Sequence, residues 1–404
     1  METTSASPRH LKPLDFGAEP MVVELGPQHP AMHGITRFQC RLDGEVVEEM
    51  IPDIGYLHRG FEKEAENTNY IKVIPYTDRL NYVSPLINNV GYVMAVEKLF
   101  GVEAPRRAQY ARVIMSEISR VTDHLTCNGA SAMEVGAMTV FLWFVKAREY
   151  LWELVEEVTG ARLTTNWTRI GGNANDLPYG FLSMLEERLK KVEDAVNEGE
   201  TLILRNKIFI DRLKDVGILS RERALAHGFT GPMIRATGVP YDLRRADPYL
   251  VYDELDFEIP VGTVGDCFDR FLVRQEEIRQ SIRIIRQAVD KLPPGDYHCR
   301  DRRLWMPEKY EVFNSIEGLI DHFKIVMEGP KPPPGEAYMG VEGGNGELGF
   351  YVVSDGSGQP VKCRVRPPCF NFVAAVPEMT VGHYVADIVP IFGSINMIGG
   401  ELER

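Results

Sequence analysis

The sequence predicts an α+β protein, a central bundle of long helices flanked by small antiparallel β-sheets. Strand formers punctuated by turn residues occupy residues 21–52 and return at 346–366. Between them the apolar spacing shifts to the helical period and keeps it through most of residues 60–330. The composition supports a large core: 404 residues, 44% hydrophobic and 25% charged, without internal repeats or low-complexity tracts. At roughly 150 residues per domain, length alone suggests two to three domains. The order of the blocks suggests instead one unit in four parts. These are an irregular arm at 1–20, an N-terminal sheet at 21–58, a helical core at 59–330 and a closing segment at 331–404 that carries a hairpin.

The elements follow in order. MVVEL and ITRFQCRLDGEVVEEMI read as strands, and Asp43-Gly44 between two alternating runs is a hairpin signal. Residues 26–34 (GPQHPAMHG) read as the β-turn that joins the first pair. Helical periodicity then predicts three long helices at 79–100, 105–127 and 132–158, with Pro105 suited to a first helical turn. The stretch NYVSPLINNVGYVMAV is almost uncharged, so these helices are expected to be buried on most faces. A polar break at 166–178 ends the block, and helix resumes at 179–196, continuing with interruptions to Leu213. Residues 228–262, rich in Gly, Pro and Tyr, are expected to run as loop and short strand. The clearest amphipathic helix of the second half is 266–292; KPPPG at 331–335 is a rigid turn, and 346–366 is a second hairpin. The end reads as short helix and coil.

Composition excludes several functions. Forty-five basic against 58 acidic residues give a net charge of −13, which opposes sequence-independent nucleic-acid binding and a polybasic grip on anionic lipid. The longest apolar stretch, AMTVFLWFV at 137–145, is too short to span a bilayer. The N-terminal residues show no signal-peptide h-region, so a cytosolic location is expected, with docking onto a membrane complex left open. Six cysteines at 40, 127, 267, 299, 363 and 369 form no C-x-x-C and no metal-ligand spacing, so reduced thiols are expected. No glycine-rich segment matches a nucleotide-binding pattern.

Three features could carry chemistry. In GPQHPAMHG, His29 and His33 lie four apart, but the prolines forbid a helix, so local hydrogen bonding competes with a proton-donating role. LHRGFEK and PYTDRLNYV contain Arg59, Arg79, Tyr76 and Tyr82. Arginines there read as surface residues unless a charged partner covers them, and the tyrosines as core unless a ligand reaches them. Asp123 and Glu134 sit in helices poor in charge. A carboxylate in such surroundings either caps or faces water, or serves as a proton-relay group.

Taken together, GPQHPAMHG, LHRGFEK, PYTDRLNYV, RVIMSEISR, RIGG–DLP, GDCFDRFLVR and GELGFYVVSDGS resemble, in order, the D subunit of respiratory complex I. This is the forty-nine-kilodalton type, related to nickel–iron hydrogenase large subunits, and the resemblance spans residue 21 to the C-terminus. The resemblance implies the hydrogenase-like α+β fold. It also implies that the four thiolate positions of the hydrogenase metal site are Asn81, Ser84, Ile398 and Glu401 here. Nickel needs soft ligands, so the family's quinone headgroup cavity is expected in place of a metal, with no iron–sulfur cluster or flavin in this chain.

By the same resemblance, His33 and Tyr82 match the residues that hydrogen-bond the quinone. Glu134 stands where the family usually has the aspartate paired with His33. Arg59 and Arg79 match arginines beside the terminal 4Fe-4S cluster of the neighbouring B subunit, and His29 is counted with them as a binding residue. Thr164 replaces a histidine common near that cluster, which hints at menaquinone rather than ubiquinone. The implied activity is NADH:quinone oxidoreduction coupled to proton translocation. The implied partners are the B, C and I subunits, the membrane-embedded H subunit and quinone, on the cytoplasmic side of a bacterial inner membrane. An energy-converting hydrogenase large subunit and a non-catalytic scaffold are the alternatives.

Overall fold

A computed structural model describes residues 20–404 of the chain, so the expected N-terminal arm lies almost wholly outside the described residues. The chain enters through β1 (Met21–Leu25), β2 (Arg37–Asp43) and β3 (Val46–Asp53), an antiparallel sheet in sequence order. Asp43 ends β2, paired with Val46, and Gly44-Glu45 make the tight turn to β3, one residue beyond the Asp43-Gly44 pair that the alternation suggested. The segment between β1 and β2 is not a simple β-turn. Pro30–Met32 form a 3-10 turn, capped by His29 and ended by His33 in the left-handed region (φ 48°). Pro30 fixes the first residue of that turn and leaves no amide to satisfy.

The helices α1 (Phe61–Glu66), α2 (Tyr70–Thr77), α3 (Pro85–Phe100), α4 (Arg106–Glu134) and α5 (Met138–Thr159) follow. Two boundaries differ from the sequence expectation. Residues 79–84 are turn rather than helix, because Pro85 disfavours the helical conformation at Ser84 while suiting the first helical position itself. The expected break at 128–131 is absent, and α4 runs unbroken for 29 residues. Asn128 there is buried rather than loop-forming; it donates to the Phe271 carbonyl at 3.1 Å and to Gln275 at 2.9 Å.

The polar break contains a minimal ribbon, β4 (Thr168–Arg169) with β5 (Gly172–Asn173). Then come α6 (Phe181–Ile203), α7 (Lys207–Leu213), α8 (Arg221–Ala226), α9 (Gly231–Ala236), α10 (Leu243–Ala246) and α11 (Cys267–Asp290). Residues 228–262 therefore hold two short helices and a 3-10 turn at Tyr252–Glu254, not strand. Helices α12 (Lys309–Asn314) and α13 (Ile316–Met327) lead to β6 (Gly335–Glu342), β7 (Glu347–Ser354) and β8 (Lys362–Arg366), another antiparallel sheet. The hairpin expected at 346–366 is the β7–β8 pair; β6 adds a third strand that the proline-rich turn had masked. The C-terminal part is mostly helical: α14 (Pro368–Thr380), α15 (Val385–Ser394) and α16 (Gly399–Glu403). No described helix is long and apolar enough to cross a membrane.

Helix α4 is the axis of the bundle, packed between α3, α5, α11 and α15. Its middle is charged as well as buried. Glu117 and Arg120 of α4 meet Arg244 of α10, Asp242 before it, Arg235 of α9, Glu277 of α11 and Glu342 of β6, all excluded from solvent. Arg235 donates to Glu277 at 2.6 Å and to Glu342 at 2.7 Å. Arg244 pairs with Asp242 at 2.7 Å and reaches Glu117 at 3.2 Å, where Tyr252 also donates at 2.7 Å. Arg120 spends its remaining donors on the carbonyls of Glu342 and Gly343. Arg235→Met should leave Glu277 and Glu342 without their shared cation, and stability should fall by about 3–5 kcal/mol. Urea unfolding measures this, and an unchanged midpoint would refute a structural role for the network.

Candidate functional site

The site begins with the turn at 78–84, which the sequence forces into a polar corner. Asn88 and Asn89, on the buried face of α3, reach back into it: Asn88 donates to the Asn81 carbonyl at 2.9 Å and Asn89 to Asp78 at 2.8 Å. Asp123 of α4 holds the other side, accepting from Asn81 Nδ2 at 2.8 Å and Ser84 Oγ at 3.1 Å. The turn is thus pinned on both flanks, and Tyr82 is presented between them. Its hydroxyl finds no protein partner among the described residues, and burial, followed by the nearby Cys369 and Asp123, pushes the phenol's pKa up.

Opposite Tyr82 stands the 29–33 loop. His29 Nδ1 accepts from the Ala31 amide at 3.3 Å, which closes the 3-10 turn and aims His33 inward. The His33 ring meets Phe392 of α15 edge-on, with centroids 6.4 Å apart, and Phe392 in turn meets Phe38 of β2. His33 Nε2 contacts Glu134 Oε1 at the last turn of α4, so the two residues form one hydrogen-bonded pair. Glu134 fits because Gly393 of α15 has no Cβ; one there would collide with Glu134 Oε2. That oxygen is buried without a protein partner.

Between the two walls lies a cavity of about 540 Å³, reached by His29, His33, Tyr82 and Glu134 and otherwise lined mainly by Cys127, Met133, Val389 and Ile398. Its surface is chiefly apolar with a few convergent polar groups, the usual form of a small-molecule site. A cavity of about 580 Å³ beside Glu97, Lys98 and Arg112 is more polar and has no such convergence.

Arg59 and Arg79 lie together but outside this cavity. Arg59 donates to the carbonyls of Arg79 (2.9 Å) and Gly400 (3.1 Å), while Arg79 bonds the Pro75 carbonyl and Asp78. Both side chains remain solvent-accessible, and partial burial, then the Arg79 cation, lowers the pKa of Arg59. Tyr76, read as a core aromatic, is 41% exposed on the same α2 turn. Thr164 lies in the loop before β4 with a left-handed backbone (φ 51°).

Behind Tyr82 the structure adds residues that the sequence reading did not assign a role. Asn396 lines the cavity and donates to Asp123 at 2.8 Å as well as to Asn345. Asn345 donates toward Glu401 at 3.4 Å, and Glu401 accepts the Cys369 amide at 3.2 Å. Three of the four positions matched to hydrogenase thiolates, Asn81, Ser84 and Glu401, fall in this one cluster, and Ile398 faces the cavity. Amide, hydroxyl, carboxyl and alkyl groups cannot replace soft thiolates for nickel. The only local signal was for Asn396, an amide between Ile395 and Met397; Asn345 reads as an ordinary residue of the glycine-rich turn at 343–346.

Comparison with known proteins decides the family. A profile described as the respiratory-chain NADH dehydrogenase 49 Kd subunit matches residues 134–404. The chain belongs to that family. It is 54% identical over 392 residues to the D-type subunit numbered 1 of the NADH-quinone oxidoreductase of Sorangium cellulosum, covering 97% of each chain. It is 56% identical over 384 residues to the corresponding D-type subunit of Anaeromyxobacter dehalogenans, covering 95% of this chain and 89% of that one. It is also 47% identical over 403 residues to the C/D-type NADH-quinone oxidoreductase subunit of Bdellovibrio bacteriovorus, covering 97% of this chain and 72% of the relative. The α+β expectation and the resemblance to the D subunit of complex I both hold.

The turn also carries a pH signature. Burial raises the Asp78 carboxyl to about 6, against Asn89, Asn166 and Arg79, which favour its charge. Its folded-state value lies above the unfolded one, so the fold binds an extra proton between them and loses stability as pH rises from about 4 to about 6. A separation of about two pH units corresponds to roughly 3 kcal/mol. Asp78→Asn should flatten this part of the stability-against-pH curve; a curve parallel to wild type would reject the burial of an unfavoured charge.

Proposed function

We propose that this chain forms the quinone-headgroup cavity of a proton-translocating NADH:quinone oxidoreductase, working beside a partner that carries the terminal iron–sulfur cluster. The observation that carries the reading is the convergence of His33, Glu134 and Tyr82 on one apolar cavity. A quinone needs an apolar slot for its ring and hydrogen-bond donors at its carbonyl oxygens. The His33 imidazole and the free Tyr82 hydroxyl supply donors from different walls.

Quinone reduction takes up two electrons and two protons. Electrons would come from the partner's cluster, 4Fe-4S in type, as the resemblance to the complex I subunit implies. His33, oriented by its contact with Glu134, would donate to one quinone carbonyl oxygen from the cavity wall, and the Tyr82 hydroxyl would donate to the other. Arg59 and Arg79 place two cations on the adjoining surface, where they would stabilise a reduced, more negative cluster. The B, C and I subunits and the membrane-embedded H subunit are the proposed neighbours, with the C subunit favoured by the C/D name of the Bdellovibrio relative. Quinone is lipid-borne, so the cavity is proposed to open toward the cytoplasmic side of a bacterial inner membrane. An energy-converting hydrogenase is disfavoured by the donor set at Asn81, Ser84, Ile398 and Glu401, and a scaffold role leaves the cavity without purpose.

Tyr82→Phe removes one hydroxyl and should leave assembly intact. Quinone reduction by the assembled complex should fall by about 1–3 kcal/mol of transition-state stabilisation, roughly fivefold to 150-fold. NADH oxidation with a hydrophilic acceptor should be retained. Wild-type quinone turnover in this variant would sink the assignment. Arg59→Met and Arg79→Met should each lower the reduction potential of the partner's terminal cluster, read by redox titration of its paramagnetic signal. Potentials equal to wild type in both variants would remove the arginines from the cluster's surroundings.

A further inference from the structure

Behind Tyr82 and Asn396, which line the cavity on the side away from His33, lie two buried carboxyl groups that do not line it themselves. Asp123 is fully buried, and Glu401 is 2% exposed. The amides of Asn345 and Asn396 bridge them: Asn396 donates to both Asp123 and Asn345, and Asn345 donates toward Glu401. The β6–β7 turn presses against Asp123 at Gly344, where a Cβ would collide with Oδ2. No ammonium or guanidinium of the described residues pairs with either carboxylate. Asp123 accepts from Asn81, Ser84 and Asn396, all neutral donors; Glu401 accepts from the Cys369 amide and Asn345.

Two carboxylates that face one enclosed polar cluster without a cation cannot both ionise cheaply. The better-solvated member holds the charge. Three donors converge on Asp123 and only two, longer, on Glu401, so the shared proton belongs on Glu401. We infer that Asp123 and Glu401 form a proton-holding unit set against the cavity, carrying one proton between them behind Tyr82 and Asn396. The inference rests on the cavity being the quinone site proposed above, and it adds the groups that set its response to pH.

The surroundings agree. The titratable and charged groups that face the unit are Tyr82 from the turn, His124 and Cys127 from α4, Cys369 from α14 and the Arg59 guanidinium, which reaches the Gly400 carbonyl. The tyrosine and both thiols are pushed toward their neutral forms by burial, and burial lowers the pKa of His124, so none of these four supplies a countercharge; the Arg59 guanidinium is engaged by the Arg79 and Gly400 carbonyls rather than by either carboxylate. Burial raises the Glu401 carboxyl to about 7, and the Asp123 charge pushes the same way. When Glu401 loses its proton, a second negative charge appears behind Tyr82, where a quinone oxygen gains electron density on reduction. Turnover should therefore decline as Glu401 ionises.

The test uses the assembled complex and infrared difference spectra between about pH 6 and about pH 8. Wild type should lose a protonated-carboxyl carbonyl signal across this window, and Glu401→Gln should lack it and show a flatter pH profile of quinone reduction. Asp123→Asn removes the opposing charge, so the signal should titrate roughly one pH unit lower. The carbonyl signal persisting in Glu401→Gln overturns the inference; so does an unshifted titration in Asp123→Asn, which decides the matter should Glu401→Gln not assemble. Adding a short-chain quinone separates the two readings. A signal that titrates as expected yet ignores the quinone counts against the quinone cavity and leaves the carboxylate pair standing.

Discussion

Everything near the site hangs on burying charge inside α4 without leaving any of it alone. Glu117 and Arg120 are a helical pair with no solvent to share, so their neighbours must come from other elements. Arg244 and Asp242 come from α10 and its cap, Arg235 from α9, and Glu342 from the end of β6. A buried ion pair adds little net stability over an apolar one, but it tolerates few alternative arrangements. Here that intolerance fixes the second sheet and the 231–246 segment against the bundle axis. The consequence reaches the cavity directly. Arg120 grips the carbonyls of Glu342 and Gly343, and the next residues of that turn, Gly344 and Asn345, form the wall around Asp123.

The long helices and both sheets could be read from the sequence because their burial is one-sided or periodic, and period is what a sequence displays. Helix α11 is the clear instance, with Phe271, Ile278, Ile282 and Ile285 all buried at helical spacing. Asn128 misled for the opposite reason: a loop-forming residue is tolerated mid-helix when a neighbouring helix satisfies its amide. Residues 228–262 misled because their short helices are held by ion pairs with distant partners, such as Arg235 with Glu277, which no local window contains. Strand β6 was hidden behind KPPPG, whose prolines end immediately before its first residue.

The site was legible only in part. His29, His33, Tyr82 and Glu134 were named on their motifs, and the fold brings them to one cavity from separate places along the chain. Arg59 and Arg79 form a neighbouring pair at the surface instead. Asn345, Asn396 and Glu401 carried no local signal of a role as a group, since they lie in three separate stretches that only the fold brings together. Their meaning is a three-dimensional one: Asn345 and Asn396 bridge Asp123 to Glu401, and Asn81 and Ser84 hydrogen-bond to the same Asp123 carboxylate.

The notch at Gly393 ties two distant stretches of the chain together. Glu134 occupies space that only a hydrogen atom on α15 leaves free, and its free oxygen points into the bundle. Positions 134 and 393 therefore cannot drift independently: an added methyl at one evicts the acid at the other and takes the partner of His33 with it. The two positions lie 259 residues apart in the sequence, yet the room that each needs is set by the other. Reach and clearance at this cavity are a matched set.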